Sequence, residues 1–212
     1  MVCVRINAME TKVAKTTFLQ RNPIVKDGIS IVGFIVAVLI GTFILNNYVF
    51  RSYNVVGGSM EGTLSPGDRI IVNRLPVTWA HLRNQHYLPP RGQIIVAENP
   101  RFLGHGPDQF IIKRVVAFEG ERVVVQDGIL TVYNDEFPEG FRPDEDFGGE
   151  PKTYTSGEID VIVPRGEVFV VGDNREGSSS HDSRNGLGTI PLFDIVGPAG
   201  VRIYPFNRMR TF

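Results

Sequence analysis

The 212 residues carry 22 Lys and Arg against 23 Asp and Glu, a formal net charge of −1, so no broad basic field argues for a nucleic-acid partner. The single cysteine, Cys3, excludes an intramolecular disulfide and a cysteine-rich metal site. With 42% hydrophobic residues, 23 Gly and 14 Pro, the composition favours a folded chain of short strands joined by turns over a helical bundle.

Residues 1–27 read as a polar N-terminal tail holding Arg5, Lys12, Lys15, Arg21 and Lys26. Gly28 to Phe50 follows without a charged residue. At helical rise this run reaches roughly 34 Å, enough to cross the hydrocarbon core of a bilayer. Two other readings compete: a buried helix of a soluble core and a cleaved signal peptide. Against the second, the run is long and no small-x-small site precedes a separate mature chain. Only Arg51 follows closely, so the positive-inside rule puts the tail in the cytoplasm and residues 51–212 on the far side.

Beyond Tyr53 the pattern is mainly β. Apolar runs predict strands at Arg69–Val72, Gln93–Ala97, Phe110–Ala117, Arg122–Val125 and Ile129–Tyr133. Gln126-Asp127-Gly128 reads as a hairpin turn between the last two. Further strands are expected at Ile159–Val163, Val168–Gly172 and Ile195–Tyr204. Pro76–Gly92, with the single tryptophan and a Pro-Pro, reads as irregular. The acidic, Gly- and Pro-rich stretch 135–157 reads as an irregular insertion between core strands.

Four stretches hold residues suited to chemistry. In Gly57-Gly58-Ser59-Met60 two glycines let a ligand approach a serine hydroxyl close to the membrane run. Gly67-Asp68 opens the next strand. Lys113 interrupts an apolar strand, Ile111-Ile112-Lys113-Arg114-Val115, sharing a face with Ile111 and Val115. A lysine on an apolar face loses hydration, which lowers its pKa and makes it a base able to take a serine proton. Its structural alternative is a lysine that snorkels its head into water. The fourth stretch runs from Gly172-Asp173-Asn174-Arg175 to Ser180-His181-Asp182-Ser183-Arg184. It is either turn chemistry with a surface Asp182–Arg184 pair or a polar shell around a site. His181 is an alternative base for Ser59, but its neighbour Asp182 points to the opposite face of an extended segment, which works against a Ser-His-Asp arrangement.

Taken together, these stretches resemble the bacterial type I signal peptidases, also called leader peptidases. The resemblance covers most of the chain: a membrane anchor, then Ser-Met-x-x-Thr-Leu, Gly-Asp-x-Ile-x-Val, Lys-Arg-Val-Val, Gly-Asp-Asn-Arg and Ser-x-Asp-Ser-Arg in family order. It implies a mainly β catalytic domain with a small β insertion behind one transmembrane helix. It implies a Ser-Lys dyad: Ser59 as nucleophile and backbone oxyanion donor, Lys113 as general base. Ser180 would orient the Lys113 amine, with Ser178 and Ser179 as alternatives. Asp182 and Arg184 would form a structural ion pair, Asp173 would support the same region, and Met60 would wall the substrate cleft. The resemblance implies no metal or organic cofactor. Its partners would be preprotein signal peptides, the lipid bilayer and the secretion translocon, at a bacterial plasma membrane. Two departures stand out: Gly62 where the family usually has proline, and Gly57 where many members carry a serine that donates to the oxyanion. The rivals are a self-cleaving repressor-type Ser-Lys protease and a non-catalytic membrane-anchored β binding module.

Overall fold

The computed structural model describes residues 22–102, 106, 109–146, 154–177 and 179–212. Most of the basic N-terminal tail, Leu103, His105 and Ser178 lie outside the described residues. The chain divides into two units, Met1–Ile44 and Leu45–Phe212. In the first, helix α1 spans Pro23–Ile44 and buries none of its described side chains. The continuous helical segment Ile24–Val49, 26 residues, is long and apolar enough to cross a membrane.

The second unit begins with a wider helical turn, Leu45–Val49, and passes at once into strand β1, Phe50–Asn54. The end of the uncharged run is therefore already sheet. Strands β2 (Arg69–Asn73), β3 (Ile94–Glu98), β4 (Phe110–Phe118), β8 (Glu167–Val171), β9 (Ile190–Pro191), β10 (Ile195–Tyr204) and β11 (Arg210–Thr211) join it. They form one antiparallel sheet in the order β1-β2-β10-β3-β4-β8-β9, with β11 on β10. A second sheet has the order β6-β5-β7, from β5 (Arg122–Gln126), β6 (Ile129–Tyr133) and β7 (Ile159–Ile162).

Side-chain alternation explains these strands. In β2, Ile70 and Val72 are buried between exposed Arg69 and Asn73; in β5, Val123 and Val125 are buried between exposed Arg122 and Gln126. Strand β8 lies between β4 and β9 and is apolar over its last four residues, all buried. The β5–β6 turn has Asp127 at φ 52° and Gly128 at φ 80°, the positive pair a tight hairpin needs.

Two stretches expected to be irregular contain structure. Leu75–Leu82 is a helix, α2, with proline in its first turn, where a missing N–H costs nothing. Pro143–Asp146 is a single helical turn, α3. The small sheet is built from strands on both sides of 135–157 rather than from within it.

Candidate active site

The residues nominated on chemical grounds come from three separate elements. Ser59 sits in the loop between β1 and β2. This loop coils immediately after it: Glu61 N–H donates to the Gly58 carbonyl (3.1 Å) and Leu64 N–H to the Met60 carbonyl (2.8 Å). Lys113 is in β4, opposite Ile95 of β3. Its Nζ donates to Ser59 Oγ at 2.9 Å and to the Ile112 carbonyl at 3.2 Å. The Ser59 N–H has no protein acceptor among the described residues, which leaves it available to an oxyanion.

Burial decides the protonation of this pair. Lys113 is 5% exposed. Desolvation of its ammonium lowers the pKa to about 8; Asp182 pulls upward, Arg184 pushes down and Asp173 pulls upward, without cancelling the loss of water. Ile111 and Val115 pack into the cluster around Ile95 and Val170, whereas Phe110 and Ile112 pack with Met60 and Ile70. The lysine therefore reaches Ser59 out of an apolar strand instead of snorkelling to water.

The loop after β8 holds the serine in place. At Gly172 a Cβ would overlap the Ser59 carbonyl oxygen and the Ser180 side chain, so no other residue lets these groups meet. Asp173 accepts from Arg114 through two nitrogens, Nε at 2.7 Å and Nη2 at 2.6 Å, and from Thr63 Oγ1 at 2.6 Å. Asn174 donates its N–H to the Ser59 carbonyl (3.0 Å) and its amide to the Gly58 carbonyl (3.2 Å). Arg175 is buried and pairs with Asp144 of α3 through two bonds of 2.6 Å. Four consecutive residues thus connect the serine loop, the lysine strand and the inserted turn. Such buried pairs add little net stability, but breaking one strands a charge, so their geometry is strongly held.

The Asp182 and Arg184 side chains are both buried and pair at 2.8 Å, not on the surface. Burial alone would raise the Asp182 carboxyl. The Arg184 guanidinium, the Gly172 N–H and the nearby Ser180 hydroxyl outweigh it and hold the group below the usual carboxylate range. Arg184 also donates to the Ser156 and Arg175 carbonyls, both at 3.0 Å. Ser180 is 0% exposed, and its Oγ makes no hydrogen bond of ordinary geometry. No hydrogen bond joins it to Lys113, whose amine is engaged by Ser59 and Ile112. His181 is exposed and donates nothing to Asp182, whose oxygens accept from Arg184 and Gly172.

Met60, expected on the cleft wall, is instead a core residue. It packs with Leu64, Ile70 and Val96 beneath the serine loop, where a flexible thioether fills the gap. Gly62 has φ 95°, a region closed to proline, so this turn differs in kind from a proline turn. The sequence placed Gly172, Asn174, Arg114 and Arg175 within candidate motifs but assigned none of them an individual role. The signal was present in part, since Arg114 is a second charge in an otherwise apolar strand.

Ser59 and Lys113 open onto a cleft of about 740 Å³. Its lining includes apolar Tyr53, Val55, Ile70, Val96, Phe110 and Ile112 and polar Asn99, Arg101, Ser179 and His181. A hydroxyl hydrogen-bonded to a desolvated amine, beside a free N–H, is equipped for acyl transfer without a histidine.

The model of the family "Signal peptidase, peptidase S26" matches residues 28–204. Signal peptidase I T of Bacillus subtilis (strain 168) is 32% identical over 202 residues, 94% of this chain and 95% of its own length. Probable signal peptidase I-1 of Synechocystis sp. is 36% identical over 174 residues, 80% of this chain and 79% of its own. Thylakoidal processing peptidase 1 of Arabidopsis thaliana is 37% identical over 152 residues, 71% of this chain and 41% of its own. With the match running from the apolar helix to the last long strand, the chain belongs to the signal peptidase family, peptidase S26, and is a serine peptidase of the signal peptidase I type.

Proposed function

We propose that this peptidase removes N-terminal signal peptides from exported preproteins, with Ser59 as nucleophile and Lys113 as general base. The observation that carries the assignment is the 2.9 Å bond between Ser59 Oγ and the buried amine. Neutral Lys113 takes the Ser59 proton as Oγ attacks the scissile carbonyl. The Ser59 N–H donates to the developing oxyanion. The tetrahedral intermediate collapses to an acyl-enzyme as Lys113 passes the proton to the leaving amine of the mature protein. Water, deprotonated by the same amine, then releases the signal peptide. Once Ser59 Oγ is acylated, Lys113 loses that partner; the unpaired, buried Ser180 hydroxyl is the group to hold the amine in position. Asp173, Asp182 and Arg184 keep the surrounding backbone fixed. Met60 supports the cleft floor from behind. The apolar residues of the cleft lining suit the small residues that precede a signal-peptide cleavage site.

In this reading the apolar segment that ends at Val49 anchors the enzyme, residues 1–27 lie in the cytoplasm, and the chain from strand β1 to residue 212 forms a peptidase domain outside a bacterial plasma membrane. The support is the length of the apolar segment and the charge asymmetry around it. Anchoring confines enzyme and emerging preprotein to one surface beside the translocon and raises their effective concentration. The test is cleavage of a purified preprotein by wild type, Ser59→Ala and Lys113→Ala. Either substitution lowers the rate by about 10⁴-fold or more, as removal of a serine-protease nucleophile or base does. Full activity in a correctly folded Lys113→Ala variant would move the base elsewhere.

A further inference from the structure

Helix α2 carries an apolar stripe that no part of the described fold covers. Leu75, Trp79 and Leu82 stand at helical spacings of four and three, on one face. They are 52%, 58% and 73% exposed. Val77, on the opposite side, is buried in the cluster around Ile95 and Ile190. One exposed leucine is ordinary, but three aligned apolar side chains including a tryptophan form a patch. The Arg83 guanidinium lies 4.7 Å from the centre of the Trp79 ring.

The location of α2 says what covers this stripe. Thr78 Oγ1 donates to the Tyr48 carbonyl at 2.8 Å, and the Arg74 N–H donates to the Val49 carbonyl at 2.8 Å. Tyr48 and Val49 are the last residues of the apolar segment Ile24–Val49. The helix is therefore pinned to the chain where that segment ends. Tryptophan is enriched at membrane interfaces, and arginine extends its charge to the headgroups from an apolar stem.

We infer that α2 is an interfacial helix: Leu75, Trp79 and Leu82 seat in the boundary between headgroups and acyl chains of the leaflet from which residue 50 emerges, with Arg83 reaching lipid phosphate. The inference rests on Ile24–Val49 crossing the bilayer. It gives the catalytic unit a second attachment, which limits its rotation about the anchor and sets the height of the cleft above the lipid.

Trp79 is the only tryptophan in the chain, so its fluorescence reports on α2 alone. The full chain is reconstituted in vesicles of phosphatidylcholine and phosphatidylglycerol. The expected result is a blue-shifted emission, strong quenching by lipids brominated near the headgroup, and protection from aqueous acrylamide. In a Leu75→Ser/Leu82→Ser variant, altered only at exposed positions, the shift and the lipid quenching are lost. Wild-type emission that stays red-shifted and open to acrylamide overturns the inference. So does emission shielded from both quenchers, which assigns the stripe to a protein, such as a second copy of this chain. Alkaline carbonate extraction of the same vesicles separates the two readings. A chain that resists extraction while Trp79 faces water refutes the α2 contact alone; a chain that is extracted refutes the membrane span and, with it, the inference.

Discussion

Replacing buried Lys113, the proposed base, with a neutral side chain of similar length should stabilise the protein while abolishing its activity. Lys113 has a pKa of about 8 in the fold against 10.5 for the unperturbed side chain. At 1.36 kcal/mol per unit, this difference makes protonated Lys113 cost the native state about 3 kcal/mol. The folded value lies below the unfolded one. Between the two, the unfolded chain holds a proton that the native state has released, so wild-type stability rises with pH across this window. Below pH 8 both states are protonated and the full cost is present. Lys113→Met removes it. The substitution also loses the bonds to Ser59 Oγ and the Ile112 carbonyl, which returns about 1 kcal/mol. The net gain at pH 7 is about 2 kcal/mol, or a rise in Tm of about 4–8 °C for a chain of this size. The gain should vanish as the pH approaches 10.5. The assay is thermal unfolding of both proteins in one detergent at pH 7 and pH 10. A Met variant no more stable than wild type at pH 7, with the same pH dependence, would show that Lys113 is not desolvated and remove the reason for its basicity.

Catalysis should follow the same titration. With half the lysine neutral near pH 8, kcat/KM for a preprotein-derived peptide should rise about tenfold from pH 7 to pH 9 and then level; a flat or falling profile refutes a lysine base. Gly172→Ala places a methyl against the Ser59 carbonyl oxygen and the Ser180 side chain. Chemical denaturation should show a loss of about 1–3 kcal/mol from overpacking. An ångström-scale shift of Ser59 should cost about 10²-fold in kcat. An alanine variant with both quantities unchanged would mean that the contact at Gly172 does not position the serine.

Legibility in the sequence followed the range of the interaction. Most strands of the large sheet were readable as apolar runs, because strands such as β3 and β8 are buried along nearly their whole length, and Asp127-Gly128 declared its hairpin because few residues tolerate two positive φ values. Helix α2 escaped notice: eight residues with proline near the start and an apolar outer face do not show the one-sided pattern of a surface helix. Strand β1 escaped because the uncharged run continues into it, and hydropathy does not distinguish the end of a span from the first strand after it. Met60 was misplaced because adjacency to Ser59 does not say which way a loop side chain points.

Ser59 and Lys113 were open to nomination from the one-dimensional chain, since a serine directly after two glycines and a charge amid aliphatic residues are local anomalies. Composition likewise settled the missing disulfides, and an uninterrupted apolar run is a property of consecutive residues. Distance and dielectric are different: they belong to the packed state. Only packing brings β4, the loop after β1 and the turn after β8 together, lowers the pKa of Lys113 by removing its water, buries the Asp182–Arg184 pair, and requires glycine at 172 because two other segments occupy the space of its missing side chain.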